Sequence, residues 1–283
     1  MGRIGSRVRG ALREAVGVGA CFTPFHRGGT GSPLVCLHGF TDTWRAWELV
    51  LPLLERRHDV LAPTLPGHAG GPPLTGELSD ALLADVVERA MDEAGFATAH
   101  LAGNSLGGFV ALQLAARGRA ESVVALAPDG GWAAGDGSFK DTLVGHFTIM
   151  HAQLQAAAPH AEAILATREG RRRATESICA SFEHIPAELL AQILRGAASC
   201  AVGPLHEHAL RTGWNLSAEH ISCPVRIVWG TADKLLPWPS AAARFLHDWL
   251  PYADRVELDG VGHCPQLDVP LETAKLICGF TAR

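Results

Sequence analysis

The sequence lacks a strong excess of charge of either sign. Its 283 residues include 24 basic and 29 acidic side chains, which gives a formal net charge of −5. Proteins that bind nucleic acids or anionic membrane surfaces usually carry a clear basic excess. The charge balance therefore gives no electrostatic basis for a nucleic-acid or membrane-surface partner, and it favours a small uncharged or apolar molecule as the substrate.

Paired cysteines and long apolar runs are missing too. The seven cysteines are scattered and form no Cys-x-x-Cys pair, which argues against a disulfide framework and a structural zinc site. No run approaches the roughly 18 apolar residues of a membrane span, and the N-terminal segment makes a poor signal peptide. We expect a soluble, cytoplasmic protein with no cofactor and no metal; the sequence leaves monomer and homodimer open.

What the sequence does contain is a large apolar fraction, 47% of the residues against 19% charged, which is typical of a globular protein. Short apolar runs at 33–37, 59–62, 99–102 and 122–127 predict buried strands, and helical stretches lie between them. Such alternation predicts an α/β fold with a mostly parallel sheet and helices on both faces.

This alternation stops after the fourth predicted strand. Residues 129–217 contain several helical stretches and no credible buried strand, whereas strand patterns return at 224–229 and 255–258. We therefore expect a core in two parts, 1–128 and 218–283, with a helical cap inserted between them.

The stretch from Leu101 to Gly108 is the first motif that indicates a catalytic function. It places Ser105 in a Gly103-x-Ser105-x-Gly107 pattern between a predicted strand and a predicted helix. A serine at the tip of so sharp a turn has a strained backbone, and its neighbours two positions away must lack side chains that would collide. The pattern and its context predict a nucleophile elbow.

Together with three further segments in the same order, this elbow makes the chain resemble the α/β-hydrolase superfamily. The segments are the His38-Gly39-Phe40 loop, the loop that ends at Asp233, and the glycine-flanked His263. The resemblance covers nearly the whole chain from residue 33 and implies an α/β-hydrolase fold with a helical cap. It is specific for the superfamily and does not identify the substrate.

A serine hydroxyl needs a base to remove its proton and a third group to orient that base. The chain order Ser, acid, His of this fold makes Ser105 the nucleophile, His263 the base and Asp233 the acid. Asp129 also ends a strand and is an alternative acid, and Asp259 is a weaker one because it is too close to His263 in sequence.

Attack by the serine turns the substrate carbonyl oxygen into an oxyanion, which two backbone amides should stabilise. The amide of Leu106 follows the nucleophile directly, and the resemblance assigns the second donor to Phe40. Substrate specificity should lie in the cap. We expect apolar and a few polar side chains to line the pocket, with packing of the cap on the sheet as the alternative role for each. These candidates are Trp132, Phe139, His146, Phe147, Met150 and Trp214.

These residues predict a serine hydrolase of the carboxylesterase type that cleaves a small to medium, largely apolar ester through an acyl-enzyme. Epoxide hydrolases and haloalkane dehalogenases of this superfamily use a carboxylate at the elbow, so Ser105 disfavours both activities. A carbon–carbon bond hydrolase of ring-cleavage products remains an alternative, because the elbow sequence from Gly103 to Gly108 also resembles that of such enzymes. A thioesterase or a lactonase remains one because the same triad serves all acyl transfers. A non-catalytic ligand receptor with this fold is the non-enzymatic alternative.

Overall fold

The computed structural model describes residues 22–75, 78–79, 81–133, 136–137, 149–201 and 203–282. These residues form a seven-stranded sheet in the order β1-β3-β2-β4-β5-β6-β7. The strands are β1 Phe25–Gly28, β2 Ser32–Leu37, β3 His58–Pro63, β4 Ala99–Asn104, β5 Ala120–Leu126, β6 Val225–Gly230 and β7 Asp254–Leu258. Only the pairing of β1 with β3 is antiparallel, so the predicted α/β class with a mostly parallel sheet is confirmed.

Helices follow most of the strands. They are α1 Leu51–Leu54, α2 Leu82–Ala94, α3 Leu106–Ala116, α4 Ala161–Leu165, α5 Arg168–Thr175, α6 Ala187–Ala198, α7 Gly203–Thr212, α8 Pro265–Asp268 and α9 Pro270–Thr281. Residues 149–157 are helical as well. Among the described ranges, no helix has both the length and the apolar character required to cross a membrane.

The central strands are apolar along their whole length because both faces of the sheet are covered. Successive side chains of a strand point to opposite faces. In β2, Val35 and Leu37 accordingly belong to one buried cluster and Leu34 and Cys36 to another. This burial on both faces explains why the strand patterns are continuous apolar runs.

Between β5 and β6, the described residues 129–133, 136–137, 149–201 and 203–217 form helices and loops but no strand. Part of this region has its own apolar cluster, in which Phe182 and Leu190 pack with Cys264 and Leu267 from the segment that follows β7. The helical region therefore contacts the carboxyl-terminal end of the sheet. The predicted boundaries of the cap remain a prediction.

Several predicted helices begin or end elsewhere. A single helix from Trp44 to Arg57 is predicted, whereas the structure has a 3-10 turn at Trp44–Trp47 and starts α1 at Leu51, with Pro52 in its first turn, where no N–H is needed. One helix is predicted over residues 161–173, but the structure has two, because the Thr167 side chain caps a new helix by accepting from Gly170 N.

Two further helices differ from the sequence prediction. The sequence predicts that Ser79 caps a helix running to about Glu93, but the N-cap of α2 is Ala81, which makes no side-chain bond. Where one helix is predicted from Ser240 to Leu250, the structure has a 3-10 turn at Ser240–Ala242 and a π-helical turn at Phe245–Trp249.

Candidate active site

Ser105 occupies the turn between β4 and α3 in a strained conformation, with φ 53° and ψ −120°. Its N–H donates to the Leu126 carbonyl at 2.9 Å, and its carbonyl accepts from the N–H groups of Phe109 and Asp129 at 3.1 Å. Such a backbone costs about 1–3 kcal/mol and persists only where its surroundings fix it. The three backbone bonds fix it here.

The glycines around Ser105 are required by close backbone approach. A Cβ atom on Gly103 would lie 2.2 Å from the Gly107 carbonyl oxygen, and one on Gly107 would lie 2.2 Å from the Leu37 carbonyl oxygen. Neither distance is compatible with a side chain, since van der Waals contact between such atoms needs well over 3 Å. The elbow pattern therefore has the steric cause that the sequence predicts.

Asp233 and His263 form a buried pair. The Nδ1 atom of His263 lies 2.8 Å from Oδ2 of Asp233, and both residues are buried. The other carboxylate oxygen of Asp233 accepts from the N–H groups of Leu235 and Leu236, each at 2.9 Å. Because an ionised carboxylate only accepts hydrogen bonds, Nδ1 carries the proton and Nε2 is left as a proton acceptor.

The two alternative acids have other partners. Asp129 accepts from the N–H of Gly130 at 2.7 Å, and burial raises the pKa of its carboxyl. Asp259 accepts from the hydroxyl of Thr231 at 3.2 Å. Of the three aspartates that the sequence leaves open, Asp233 is therefore the one whose carboxylate bonds to His263 in the structure.

The two amides predicted to stabilise an oxyanion lie next to the nucleophile. Leu106 is the first residue of α3, and the first N–H groups of a helix have no partner inside the helix. The loop of Phe40 passes close to the serine, because a Cβ atom on Gly39 would lie 3.3 Å from Cβ of Ser105. This arrangement is compatible with the predicted oxyanion site.

A histidine pair supports that loop. His38 is buried; its Nδ1 donates to the Gly39 carbonyl at 2.8 Å and its Nε2 accepts from Leu65 N at 2.9 Å. The ring of His68 lies edge-on to the His38 ring, with centroids 4.8 Å apart. Burial and the neighbouring His68 hold the pKa of His38 well below its usual range, so the ring is neutral and its two bonds fix the loop.

Asn104, which sequence reasoning does not single out, hydrogen-bonds to the backbone of the His263 loop. Its Nδ2 donates to the carbonyl of His263 at 2.9 Å and to that of Leu126 at 3.1 Å. Its Oδ1 accepts from Nε2 of Gln266 at 3.0 Å. The residue before the nucleophile thus positions the residue predicted to be its base, over 159 positions of sequence separation.

Asp268 is a second residue that the sequence gives no reason to select. Its buried carboxylate accepts from the N–H of Gly262 at 2.7 Å, next to His263. It also accepts from the N–H groups of Ala180 and Ser181, at 2.8 and 2.7 Å. One carboxylate therefore bonds to both the His263 loop and the helical region inserted after β5.

Ser105 and His263 open onto one cavity between the sheet and the inserted helices. Its lining is mostly apolar and contains no lysine or arginine among the described residues. The described residues that line the cavity are Gly39, Phe40, Thr41, Asp42, Asn104, Ser105, Met150, Leu154, Ala174, Ser177, Ile178, Leu190, Ile193, Leu194, Ala197, Leu235, His263 and Cys264. Within the described part of the chain, no three His, Cys, Asp or Glu side chains are grouped closely enough to hold a metal ion.

The predicted pocket residues have different positions. Met150 lines the cavity. Trp132 and Trp214 belong to the buried core on one face of the sheet instead, where the Trp214 ring lies 5.1 Å from that of Phe109. Both tryptophans therefore have the alternative role given in the sequence analysis, which is packing in the core. Three further candidates lie outside the described residues: Phe139, His146 and Phe147.

Comparison with known proteins gives consistent results. The model of the alpha/beta hydrolase family matches residues 34–276. The chain is 37% identical over 205 residues to epoxide hydrolase EphH of Mycobacterium tuberculosis, an alignment that covers 72% of this chain and 95% of that protein. It is 29% identical over 259 residues to a pimeloyl-[acyl-carrier protein] methyl ester esterase of Aromatoleum aromaticum, with 86% and 96% covered.

A similar fold occurs in a thermophilic esterase from Thermogutta terrifontis, whose solved structure superposes with a TM-score of 0.66 at 21% sequence identity. The superposition covers 91% of this chain and 92% of that one. At this level of identity the likeness concerns the fold, and the chemistry has to be argued from the site.

Proposed function

Because this chain belongs to the α/β-hydrolase family, we propose that it is a serine hydrolase that cleaves a small to medium, largely apolar carboxylic ester. The observation that carries the proposal is the buried His263–Asp233 pair, joined at 2.8 Å, on the same cavity as Ser105 at its strained elbow. A nucleophile, a base and a group that orients the base are the three parts that acyl transfer requires.

In the acylation half, Oγ of Ser105 attacks the ester carbonyl while Nε2 of His263 takes the hydroxyl proton. Asp233 stabilises the imidazolium that forms and keeps the ring in the required tautomer. The amides of Phe40 and Leu106 stabilise the oxyanion of the tetrahedral intermediate. Collapse of that intermediate breaks the bond to the alkoxy group, which leaves as an alcohol with the proton from His263.

In the deacylation half, water replaces the alcohol. His263 takes a proton from the water, whose oxygen attacks the acyl carbonyl. The bond to Oγ of Ser105 then breaks, and the proton returns from His263 to the serine. The products are the free carboxylic acid and the original enzyme, so the cycle needs no cofactor.

The lining of the cavity supports an apolar substrate. Leu154, Ile178, Leu190 and Ile193 come from the inserted helical region, which we assign as the cap over residues 129–217. Burial of apolar substrate groups against these side chains contributes about 0.8 kcal/mol for each methylene. The chain length of the acyl group should therefore affect kcat/KM strongly.

Epoxide hydrolysis is the second candidate, favoured by the 37% identity to a protein named epoxide hydrolase. Ser105, the residue at the elbow, argues against epoxide hydrolysis. A carboxylate that opens an epoxide forms an ester, which water can hydrolyse at its carbonyl carbon. Attack by Ser105 would form an ether, which has no carbonyl for water to attack. The serine therefore favours acyl transfer.

Burst kinetics with p-nitrophenyl esters of graded chain length test the proposal. We expect the wild type to release p-nitrophenol and to form an acyl adduct visible by intact mass, while Ser105→Ala does neither. Ser177→Ala, at another position of the same cavity, is the matched control and should keep the acylation step. Styrene oxide assayed in parallel should give no diol.

Two results would contradict the proposal. Turnover of esters by the folded Ser105→Ala variant would exclude this serine as the nucleophile. A folded wild type that is acylated by no ester would instead favour a carbon–carbon bond hydrolase of narrow specificity or a ligand receptor.

A further inference from the structure

Asp42 is the carboxylate that lines the cavity together with Ser105 and His263. It lies two positions after Phe40, directly beyond the loop assigned to the oxyanion. Its Oδ1 accepts from the N–H of the neighbouring Thr43 at 2.8 Å. Its Oδ2 accepts no hydrogen bond from the residues that the structure describes.

The described residues that line the cavity offer Asp42 no lysine or arginine as a partner. The titratable groups that face it are His263 and the thiols of Cys179, Cys200 and Cys264. Burial raises the pKa of all three thiols, that of Cys200 to about 12, so they are uncharged at neutral pH.

Burial also raises the pKa of the Asp42 carboxyl itself, to about 7. Near neutral pH the group is therefore both a donor and an acceptor of hydrogen bonds. Asp42 is partly exposed and lines the cavity, and a polar side chain of this kind in a cavity is a candidate for binding a polar group of a ligand.

We infer that Asp42 is a specificity-determining residue whose carboxyl binds a hydroxyl or amino group of the substrate and discriminates against a substrate carboxylate. A hydroxyl can donate to the ionised carboxyl and accept from the protonated one, so it satisfies both states. A second carboxylate in the same cavity would meet a like charge, and the described lining residues include no lysine or arginine to offset it. The inference rests on the proposed ester hydrolysis and adds the polar feature of its substrate.

The test uses methyl esters whose acyl chains of about three to five carbons end in a methyl, a hydroxyl or a carboxylate group, so that size stays matched. kcat/KM is measured at pH 8 for the wild type, Asp42→Asn and Asp254→Asn. The last variant makes the same change in net charge at the start of β7, away from the cavity.

For Asp42→Asn we expect kcat/KM for the carboxylate ester to rise at least about tenfold relative to the methyl-ended ester, because the like charge is gone. The ratio for the hydroxyl ester should fall, and Asp254→Asn should keep both wild-type ratios. Unchanged ratios in Asp42→Asn would overturn the inference. Equal loss of activity on all three esters would overturn it as well, because Asp42 would then belong to the chemistry or to the support of the loop.

A binding measurement separates failure of this inference from failure of the proposed function. Calorimetric titration of the same esters into Ser105→Ala and into Ser105→Ala/Asp42→Asn reports discrimination without turnover. If the wild type hydrolyses none of the esters, ester hydrolysis is wrong, yet a shift in the Kd ratio between the two variants still supports recognition by Asp42. An unchanged Kd ratio would overturn it.

Thermal unfolding provides a third readout that does not depend on substrate. The raised pKa of Asp42 means that the carboxyl stabilises the fold when protonated, and that this contribution is lost as pH rises from about 4 towards 7. Asp42→Asn should therefore raise the melting temperature at pH 8 by a few degrees more than at pH 5. An equal shift at both pH values would contradict an ionisable Asp42 in the cavity.

Discussion

The hydrogen bond from His263 to Asp233 determines which nitrogen of the imidazole carries the proton. Asparagine at position 233 would keep the shape and an oxygen for the N–H groups of Leu235 and Leu236. Its amide N–H₂ would face Nδ1 of His263 and force the opposite tautomer. His263 would then have no free lone pair to accept the serine proton.

We therefore predict that Asp233→Asn lowers kcat by about 10³–10⁴ with little change in KM. Asp129→Asn is the matched comparison, because that aspartate is also buried but bonds to Gly130 instead of His263. It should change kcat by less than about tenfold. Steady-state kinetics on one p-nitrophenyl ester measures kcat and KM of both variants. A larger loss of kcat in Asp129→Asn than in Asp233→Asn would identify Asp129 as the acid.

A second prediction at the residue scale concerns the glycines of the elbow. Gly103→Ala would place a methyl group 2.2 Å from a backbone oxygen, which requires the backbone of β4 and α3 to move. We expect a loss of about 3 kcal/mol or more in the free energy of unfolding, or no folded protein. Gly279→Ala is the control, since a Cβ there meets nothing within 4 Å.

Gly279 lies inside α9, where alanine is the better helix former, so this control should stabilise the protein by about 0.5–1 kcal/mol. Urea denaturation of the two variants distinguishes steric conflict from a general effect of replacing glycine. Near-wild-type stability of Gly103→Ala would show that the turn does not require a glycine there.

At the scale of elements, the carboxylate of Asp268 links the His263 loop to the segment around Ala180 and Ser181. Three backbone N–H groups depend on it. Asp268→Asn preserves the volume but removes the charge and presents an N–H₂ group to at least one of these donors. Hydrogen bonds to a charged group contribute about 1.5–3 kcal/mol each.

We predict that Asp268→Asn lowers the free energy of unfolding by at least about 2 kcal/mol. Amide hydrogen exchange should accelerate at Gly262, Ala180 and Ser181, and kcat should fall more than KM changes because His263 is less well positioned. Asp268→Glu, which keeps the charge, is expected to recover part of the protection. Unchanged exchange at residues 180 and 181 would show that the inserted region is held by its apolar contacts alone.

For the whole molecule, the buried histidines His38 and His68 contribute to the dependence of stability on pH. Burial lowers the pKa of His68 from 6.5 to about 4 and that of His38 well below its usual range. A lowered pKa in the folded state means that the unfolded chain binds the proton more tightly. The contribution of these two histidines to stability is therefore complete above about pH 6.5 and is lost as pH falls below it.

We predict that His68 alone removes about 3 kcal/mol from the free energy of unfolding between pH 7 and pH 4, since each unit of pKa shift corresponds to about 1.4 kcal/mol. Urea denaturation at several pH values measures this slope. His68→Asn, whose amide can still donate to the Pro66 carbonyl as Nδ1 of the histidine does, should have a smaller slope. An equal slope in the variant would assign the acid sensitivity to other groups.

The strand pattern and the order of the four motifs were sufficient to predict the α/β-hydrolase fold. Strands buried on both faces appear as continuous apolar runs, and the elbow leaves a local glycine signature, so both features can be read from neighbouring residues. Helix boundaries were less predictable. Pro52 and Thr167 divide predicted helices through a fixed backbone angle and a capping bond, which periodicity alone does not contain.

Several parts of the site depend on residues that are distant in the chain. Asn104 bonds to His263, Asp268 bonds to Ala180 and Ser181, and Asp42 lines the cavity below the inserted helices. Trp132 and Trp214 looked equally suitable for a pocket but pack in the core. Amino-acid type does not reveal which of these environments a side chain enters.

The sequence by itself determined the architecture and the identity of the elbow serine, because both follow from local chemistry: burial on two faces of a strand and a turn too close for side chains. Only the tertiary structure decided which aspartate bonds to His263, which residues position that histidine, and which side chains line the cavity. These choices depend on how the ends of separate strands meet at one edge of the sheet, and that meeting has no local signature in the chain.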